Sequence, residues 1–275
     1  MNNHFAELGD VWKHLPLAEI LRVDPPRAYW ETHAGSASYP LTESPSRLHG
    51  ALRFLSLAPY DPDLRSCAYL AALTHEPGVY PGSATLAMRS LRTSASYLFC
   101  DVDPISAASL RDAGGGGGLD VRVVDADGVS AIEREAQLAR MDAREVVVHV
   151  DPIEPFERNS RDSRTAVELA GWLADAGYRL VYWYGYDSVE RRGWARDVIA
   201  GLAPHAELWC GDVLIPASLV YPGRPGAWGC GVVLANARET ETRVCERLGR
   251  GLERISEGDV VEGNDPSRLS FKVIA

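Results

Sequence analysis

The stretch EVVVHVDPIEPF, residues 145–156, decides the fold. Val146 to Val150 form an apolar run broken only by His149, and the run stops at Asp151-Pro152. A short apolar run bounded by turn residues predicts a strand buried on both faces, as in a parallel sheet covered by helices. In an open α/β sheet, ligands bind in the crevice beyond the carboxyl ends of the strands. Asp151 is therefore placed where chemistry is expected, and Pro152 fixes the backbone just after it. A plain strand followed by an Asp-Pro turn fits the same residues, so the stretch alone leaves the function open.

Outward from it, helical and strand patterns alternate. TAVELAGWLADAG (165–177) predicts a helix ending at Gly177, a natural C-cap, and YRLVYWYGY (178–186) the next strand. Upstream, SYLFCDVDP (96–104) and VRVVDADG (121–128) read as strands ending in acids, with the helix ISAASLRDA (105–113) between them. RAYWETHAGSAS (27–38) supplies a first strand, Ala28 to Glu31, that opens into a loop where Gly35, Ser36 and Ala37 admit a ligand close to the backbone. His33 there reads equally as a ligand contact or a satisfied turn residue. The run Gly114–Gly118 follows a helix and precedes a strand without a Lys-Ser/Thr pair, so it predicts a connection rather than a phosphate loop.

The remainder of the chain completes the pattern. GDVWKHLPLAEIL (9–21) predicts a helix with Asp10 as N-cap, carrying Lys13 and His14 on its first turn. SRLHGALRFLSLA (46–58) and DLRSCAYLAALTH (63–75) have helical spacing and predict a hairpin of helices inserted into the α/β pattern. Residues 42–79 are thus expected as an inserted helical subdomain, with 1–41 and 80–275 forming one domain. ELWCGDVLI (207–215), CGVVLANA (230–237) and RLSFKVIA (268–275) predict three further strands, the first two separated by a Gly/Pro-rich loop at 221–229. A helix is expected at 187–202 and another at 238–254.

The chain has 275 residues, enough to bury a sizeable core. Its net charge of −10 argues against a broad, non-specific grip on phosphate backbones, although arginines cluster at 158–164 and 191–196. The five cysteines are dispersed without a CxxC pair, which fits reduced thiols better than disulfides or a zinc site, so no metal is expected. With no basic-then-apolar leader and no run of membrane-spanning length, a cytoplasmic location is expected, without membrane partners.

Eight short strings, in order, carry a resemblance: DVWKH (10–14), THAG (32–35), YPGS (80–83), DVDP (101–104), ADG (126–128), DP (151–152), YWY (182–184) and GAWGCGVVLAN (226–236). The chain resembles the 23S ribosomal RNA adenine-N6 methyltransferases of the RlmJ type, which are class I S-adenosylmethionine (SAM) enzymes. The resemblance implies a Rossmann-like class I methyltransferase fold of the α/β class, with a mostly parallel seven-stranded sheet, helices on both faces and an inserted helical hairpin. An insertion before the second strand also explains why Asp101 follows Gly35 by 66 residues, where a dinucleotide fold places its ribose acid about 20 residues after the glycine loop.

Carried onto matching positions, the resemblance implies SAM as cofactor. His14, His33 and Ser83 would contact its methionine and neighbouring parts, Asp101 its ribose hydroxyls, and Asp127 and Gly128 its adenine edge. Lys13 matches a family lysine and would meet substrate or cofactor carboxylate. Asp151 and Pro152 begin the family's catalytic Asp-Pro-Pro-Tyr motif, in which the carboxylate and the proline carbonyl hold the two hydrogens of an adenine amino group. Here Ile153 replaces the second proline and Glu154 the aromatic, while Phe156 offers a ring two residues later. Three readings follow: methyl transfer to adenine in ribosomal RNA, methyl transfer to a small-molecule amine, nucleoside or hydroxyl met by Asp151 and Glu154, and a binding protein that has lost its chemistry.

Overall fold

A computed structural model describes residues 5–161, 163–216, 227–256 and 269–274. Strand β1 (Ala28–Glu31) lies beside β6 (Val146–Val150), and every residue of both is buried. This is the burial expected of central strands covered on two faces. His149 sits in the apolar run because its register partner on β1 is Glu31. Its Nδ1 lies 2.7 Å from Glu31 Oε1 and 3.1 Å from the Tyr29 hydroxyl, all three side chains being buried. Burying such groups is costly unless they satisfy one another.

From β1 the sheet extends in parallel to β4 (Ser96–Asp101) and β5 (Asp120–Asp125). From β6 it extends in parallel to β7 (Arg179–Tyr186). Then β9 (Ala227–Ala235), β8 (Leu208–Pro216) and β10 (Ser270–Ile274) add on antiparallel, giving the order β10-β8-β9-β7-β6-β1-β4-β5. Among the described residues the sheet is therefore mixed and eight-stranded, which corrects the expected mostly parallel seven-stranded sheet. The difference arises at the edge, where the short C-terminal segment finds the free side of β8 and pairs with it. Chain order reverses between β1 and β6, so the topological switch point lies there.

Helices cover both faces. Helices α1 (Leu8–Val23), α5 (Ser83–Leu91), α6 (Pro104–Gly114) and the last, α10 (Glu239–Ser256), contribute to one apolar core. Helices α7 (Gly128–Leu138), α8 (Ala166–Asp175) and α9 (Trp194–Leu202) contribute to the other. The capping prediction for α1 needs correction. The N-cap is Glu7, and Asp10 lies one turn inside, its Oδ2 accepting the Glu7 N–H at 3.2 Å.

Between β2 (Ser38–Pro40) and β3 (Val79–Pro81), which pair antiparallel, the chain forms α2 (Pro45–His49), α3 (Ala51–Leu57) and α4 (Ala68–Thr74). The helix expected over 46–58 is split at Gly50. The Ala6 carbonyl accepts the Ala51 N–H there, and a Cβ on Gly50 would stand 2.3 Å from that oxygen. The helix expected over 187–202 likewise starts late, because Gly193 has φ 81° and breaks the turn before Trp194. The Gly/Pro-rich loop expected at 221–229 falls up to residue 226 outside the described residues, and residues 227–229 already belong to β9, where they pair with β8.

Candidate functional site

The carboxyl ends of β1, β4, β5 and β6 open onto two adjoining cavities. The larger, of about 340 Å³, is lined by Thr32, His33, Asp101, Asp127, Glu154 and Arg164 among others. The smaller, of about 60 Å³, is enclosed by Asp10, Lys13, His14, Gly35, Ser83 and Asp151 with their neighbours. His33 lines both.

Local geometry follows from where each strand ends. Asp101 terminates β4, and its Oδ2 accepts the Gly35 N–H at 2.7 Å while Oδ1 accepts the Asp103 N–H at 2.8 Å. One carboxylate thus pins the loop after β1 to the loop after β4, and each oxygen keeps a second lone pair toward the cavity. Asp127 caps α7, its Oδ2 accepting the Ser130 N–H at 2.9 Å. Gly128 follows, where a Cβ would lie 1.8 Å from the Thr32 carbonyl oxygen. Only glycine lets α7 begin this close to the β1 loop. His33 Nδ1 is 2.7 Å from Thr32 Oγ1, and burial lowers its pKa against the pull of Asp151, Asp101 and Asp127.

In the smaller cavity Lys13 Nζ lies 2.7 Å from Asp151 Oδ2 and 2.9 Å from Asp10 Oδ1. It also stands 5.6 Å from the centre of the Trp183 ring. Burial pushes the Asp151 carboxyl up, but the Lys13 ammonium outweighs it and holds the group below the ordinary carboxylate range. Burial disfavours the charge on Lys13, and Asp151 and Asp10 more than restore it, so its pKa is raised. His14 Nδ1 lies 2.8 Å from the Tyr80 hydroxyl; burial and the nearby Lys13 charge lower its pKa well below the usual imidazole range.

The remaining expected residues are placed as follows. Pro152 is buried directly after Asp151. Ser83 is buried at the first turn of α5 and faces the smaller cavity. Glu154 is exposed and lines the larger cavity, apart from Asp151, and Ile153 beside it is 84% exposed. Phe156 lines neither cavity. Its ring packs on Trp194 at 5.1 Å, which in turn meets Tyr184 edge-on.

Sequence reasoning missed Asp10 as a site residue, having assigned it to capping. It also missed Glu157, Asn159 and Arg164, which line the larger cavity from the loop after β6. The signal for Asp10 was present: it stands one helical turn before Lys13, and Lys13 and Lys272 are the chain's two lysines among many arginines. Nothing in the local sequence singled out the loop residues.

No family model matches the chain, and no curated protein matches it. Among solved structures, it is similar to a Legionella pneumophila str. Philadelphia 1 protein described by the DUF519 family model. The two share 20% identity and a TM-score of 0.72 over 99% of this chain and 98% of that one, which shows a common fold. A SAM-dependent methyltransferase from Agrobacterium tumefaciens matches at 11% identity and TM-score 0.43, over 82% of this chain and 60% of that one. A putative class I SAM-dependent methyltransferase from Listeria monocytogenes matches at 11% and 0.38, over 84% and 59%. Neither of these last two bears on the site, which is read from its own residues.

Proposed function

We propose that the chain is a SAM-dependent methyltransferase that transfers a methyl group to the amine of a small molecule. The observation that carries this reading is the gathering of His33, Asp101 and Asp127, from the ends of three neighbouring parallel strands, around one cavity beside the switch point. Its volume lies within the roughly 300–1,000 Å³ of small-molecule and cofactor sites. The fit to SAM is chemical: Asp101 offers paired acceptors to ribose hydroxyls, and Asp127 has an oxygen left for an adenine edge, held in place because Gly128 lets α7 start close to the β1 loop. The smaller cavity, with His14, Ser83 and Lys13, would take the amino-acid end.

Bound there, SAM would supply a methyl group on a positively charged sulfur. Asp151 then has one task. Its Oδ2 is held by Lys13, and among the described residues Oδ1 accepts no hydrogen bond. Oδ1 can receive an N–H of the acceptor and direct the nitrogen lone pair. A carboxylate held below its ordinary range is a poor proton acceptor, because a general base works best with a pKa near the working pH. That favours an amine that is unprotonated when it binds, whose nitrogen lone pair takes the methyl as the carbon–sulfur bond breaks and whose extra proton leaves to water afterwards, over a hydroxyl, which is a good nucleophile only once it has lost its proton.

Charge at the cavity mouth favours a small acceptor. Glu154 and Glu157 join Asp101 and Asp127 around the larger cavity, and Arg164 is paired with Glu133 at 2.9 Å. Such a mouth repels a phosphate backbone. The adenine-in-RNA reading is supported by the retained Asp151-Pro152 pair, but Glu154 stands where a stacking ring would be needed.

The test offers the purified protein labelled SAM with a panel of small amines and nucleosides, and in parallel protein-free 23S RNA. Label should enter a small amine. Asp151→Asn should lower turnover by about 100-fold, the scale of a lost transition-state acceptor, and change SAM affinity far less than turnover. Asp101→Asn should weaken SAM binding by about tenfold. Label entering RNA alone would refute the small-molecule assignment, and absence of SAM binding would refute the whole reading.

A further inference from the structure

Away from the strand-end site, α1, α4, α5 and the loop before β5 enclose a groove of about 770 Å³, larger than either cavity described above. It shares no lining residue with them. Its buried lining is apolar, with Ala18 and Leu86, and Arg22, Arg89, Arg92 and His75 also line it. Although the chain has a net charge of −10, no acidic residue lines the groove among the described residues. Arg22 is anchored from below by buried Glu19 at 2.6 Å, and Arg89 by Glu76 at 3.2 Å, so both guanidiniums are oriented and still have donors to spare.

Arg92 is the unusual member. It ends α5 with φ 49° and ψ −129°, a region that favours glycine, and a non-glycine residue there costs about 1–3 kcal/mol. Its exposed side chain makes no hydrogen bond or ion pair among the described residues. Its backbone is held there by the Arg92 N–H donating to the Met88 carbonyl and by the Tyr97 hydroxyl donating to the Arg92 carbonyl at 2.6 Å, while the guanidinium is left available to a ligand.

We infer that this groove is a second binding site, for a small phosphate-bearing molecule with an apolar body. Three arginines line one groove, and a guanidinium binds phosphate oxygens bidentately. The alanine and leucine lining gives an apolar ring or chain a surface to cover, and the volume suits a ligand of that size. Helix α1 runs from Lys13 in the smaller cavity to Arg22 at the groove, nine residues or ~13 Å at the helical rise. A ligand in the groove therefore sits on the same helix that positions Asp151's counter-ion.

The experiment measures binding by calorimetry to the full chain, with naphthyl phosphate, naphthol, inorganic pyrophosphate and a short single-stranded oligoribonucleotide without terminal phosphates. Naphthyl phosphate should bind, more weakly as salt is raised, and naphthol should not. Arg92→Gly relieves the strained backbone, so its melting temperature should equal or exceed that of the parent chain. Its affinity for naphthyl phosphate should nevertheless fall by about tenfold, as should that of Arg89→Gln. Wild-type affinity in both variants would overturn the assignment. So would naphthol binding as tightly as its phosphate, or binding of the oligoribonucleotide alone, which would make the groove a polynucleotide contact.

Discussion

Replacing Lys13 by methionine tests whether the ion pair at Asp151 governs the site. Methionine matches the length of the stem but removes the ammonium that neutralises Asp151 at 2.7 Å and Asp10 at 2.9 Å. The side chains of Lys13, Asp151 and Asp10 are 13%, 16% and 17% exposed, so the carboxylates are largely cut off from water. Removing one partner of a buried pair costs about 3–5 kcal/mol, and the slight exposure here places the expectation at the lower end, about 3 kcal/mol. The loss should depend on pH with a definite sign. In the parent chain Lys13 holds the Asp151 pKa below its ordinary value, so the carboxylate contributes stability above that range which is lost as pH falls. Without the ammonium, burial is the largest influence on Asp151, opposed only by His149 and His33, and the folded-state pKa rises. The folded mutant then gains from binding a proton. The stability gap between Lys13→Met and the parent should therefore shrink as pH falls from 8 toward 5. Urea unfolding at several pH values reads this directly, and Lys13→Met combined with Asp151→Leu should recover much of the loss. A cost under about 1 kcal/mol that does not change with pH would refute the reasoning, since it would mean that water already screens the pair.

Two further outcomes are expected. Gly128→Ala drives a methyl group into the Thr32 carbonyl, 1.8 Å away; it should lower stability by about 1–3 kcal/mol, read as a drop of several degrees in melting temperature, and reduce SAM affinity together with it. His14, with its pKa lowered by burial, stays neutral in the fold while the unfolded chain takes up a proton near pH 6.5. Stability should then be complete above that pH and decline below it. Denaturant titrations at pH 7.5 and 5.5 should show a smaller decline in His14→Gln, and an equal decline would remove His14 as the cause.

The central architecture was written in local residues. Val146–Val150 is buried throughout because an unbroken apolar run can be satisfied only between two covering layers. The acids at the ends of the predicted strands, Asp101, Asp127 and Asp151, all line the cleft, because each strand delivers its C-terminal residue to the same edge of a parallel sheet. Periodicity could not show pairing across distance. That His149 is tolerable in the core depends on Glu31, 118 positions away. That Lys13 meets Asp151 rather than solvent depends on where α1 crosses the sheet. The helix break at Gly50 depends on a carbonyl from the N-terminal segment. Where the strand expected over 268–275 pairs depends on a free edge of β8 that exists only once the sheet has formed. Sequence by itself determined the elements and the kind of chemistry each strand end can offer, since backbone preference and burial pattern act over a few neighbouring residues. Tertiary structure decided which charges neutralise one another and which face water, because electrostatic and packing energies depend on distance in space rather than along the chain.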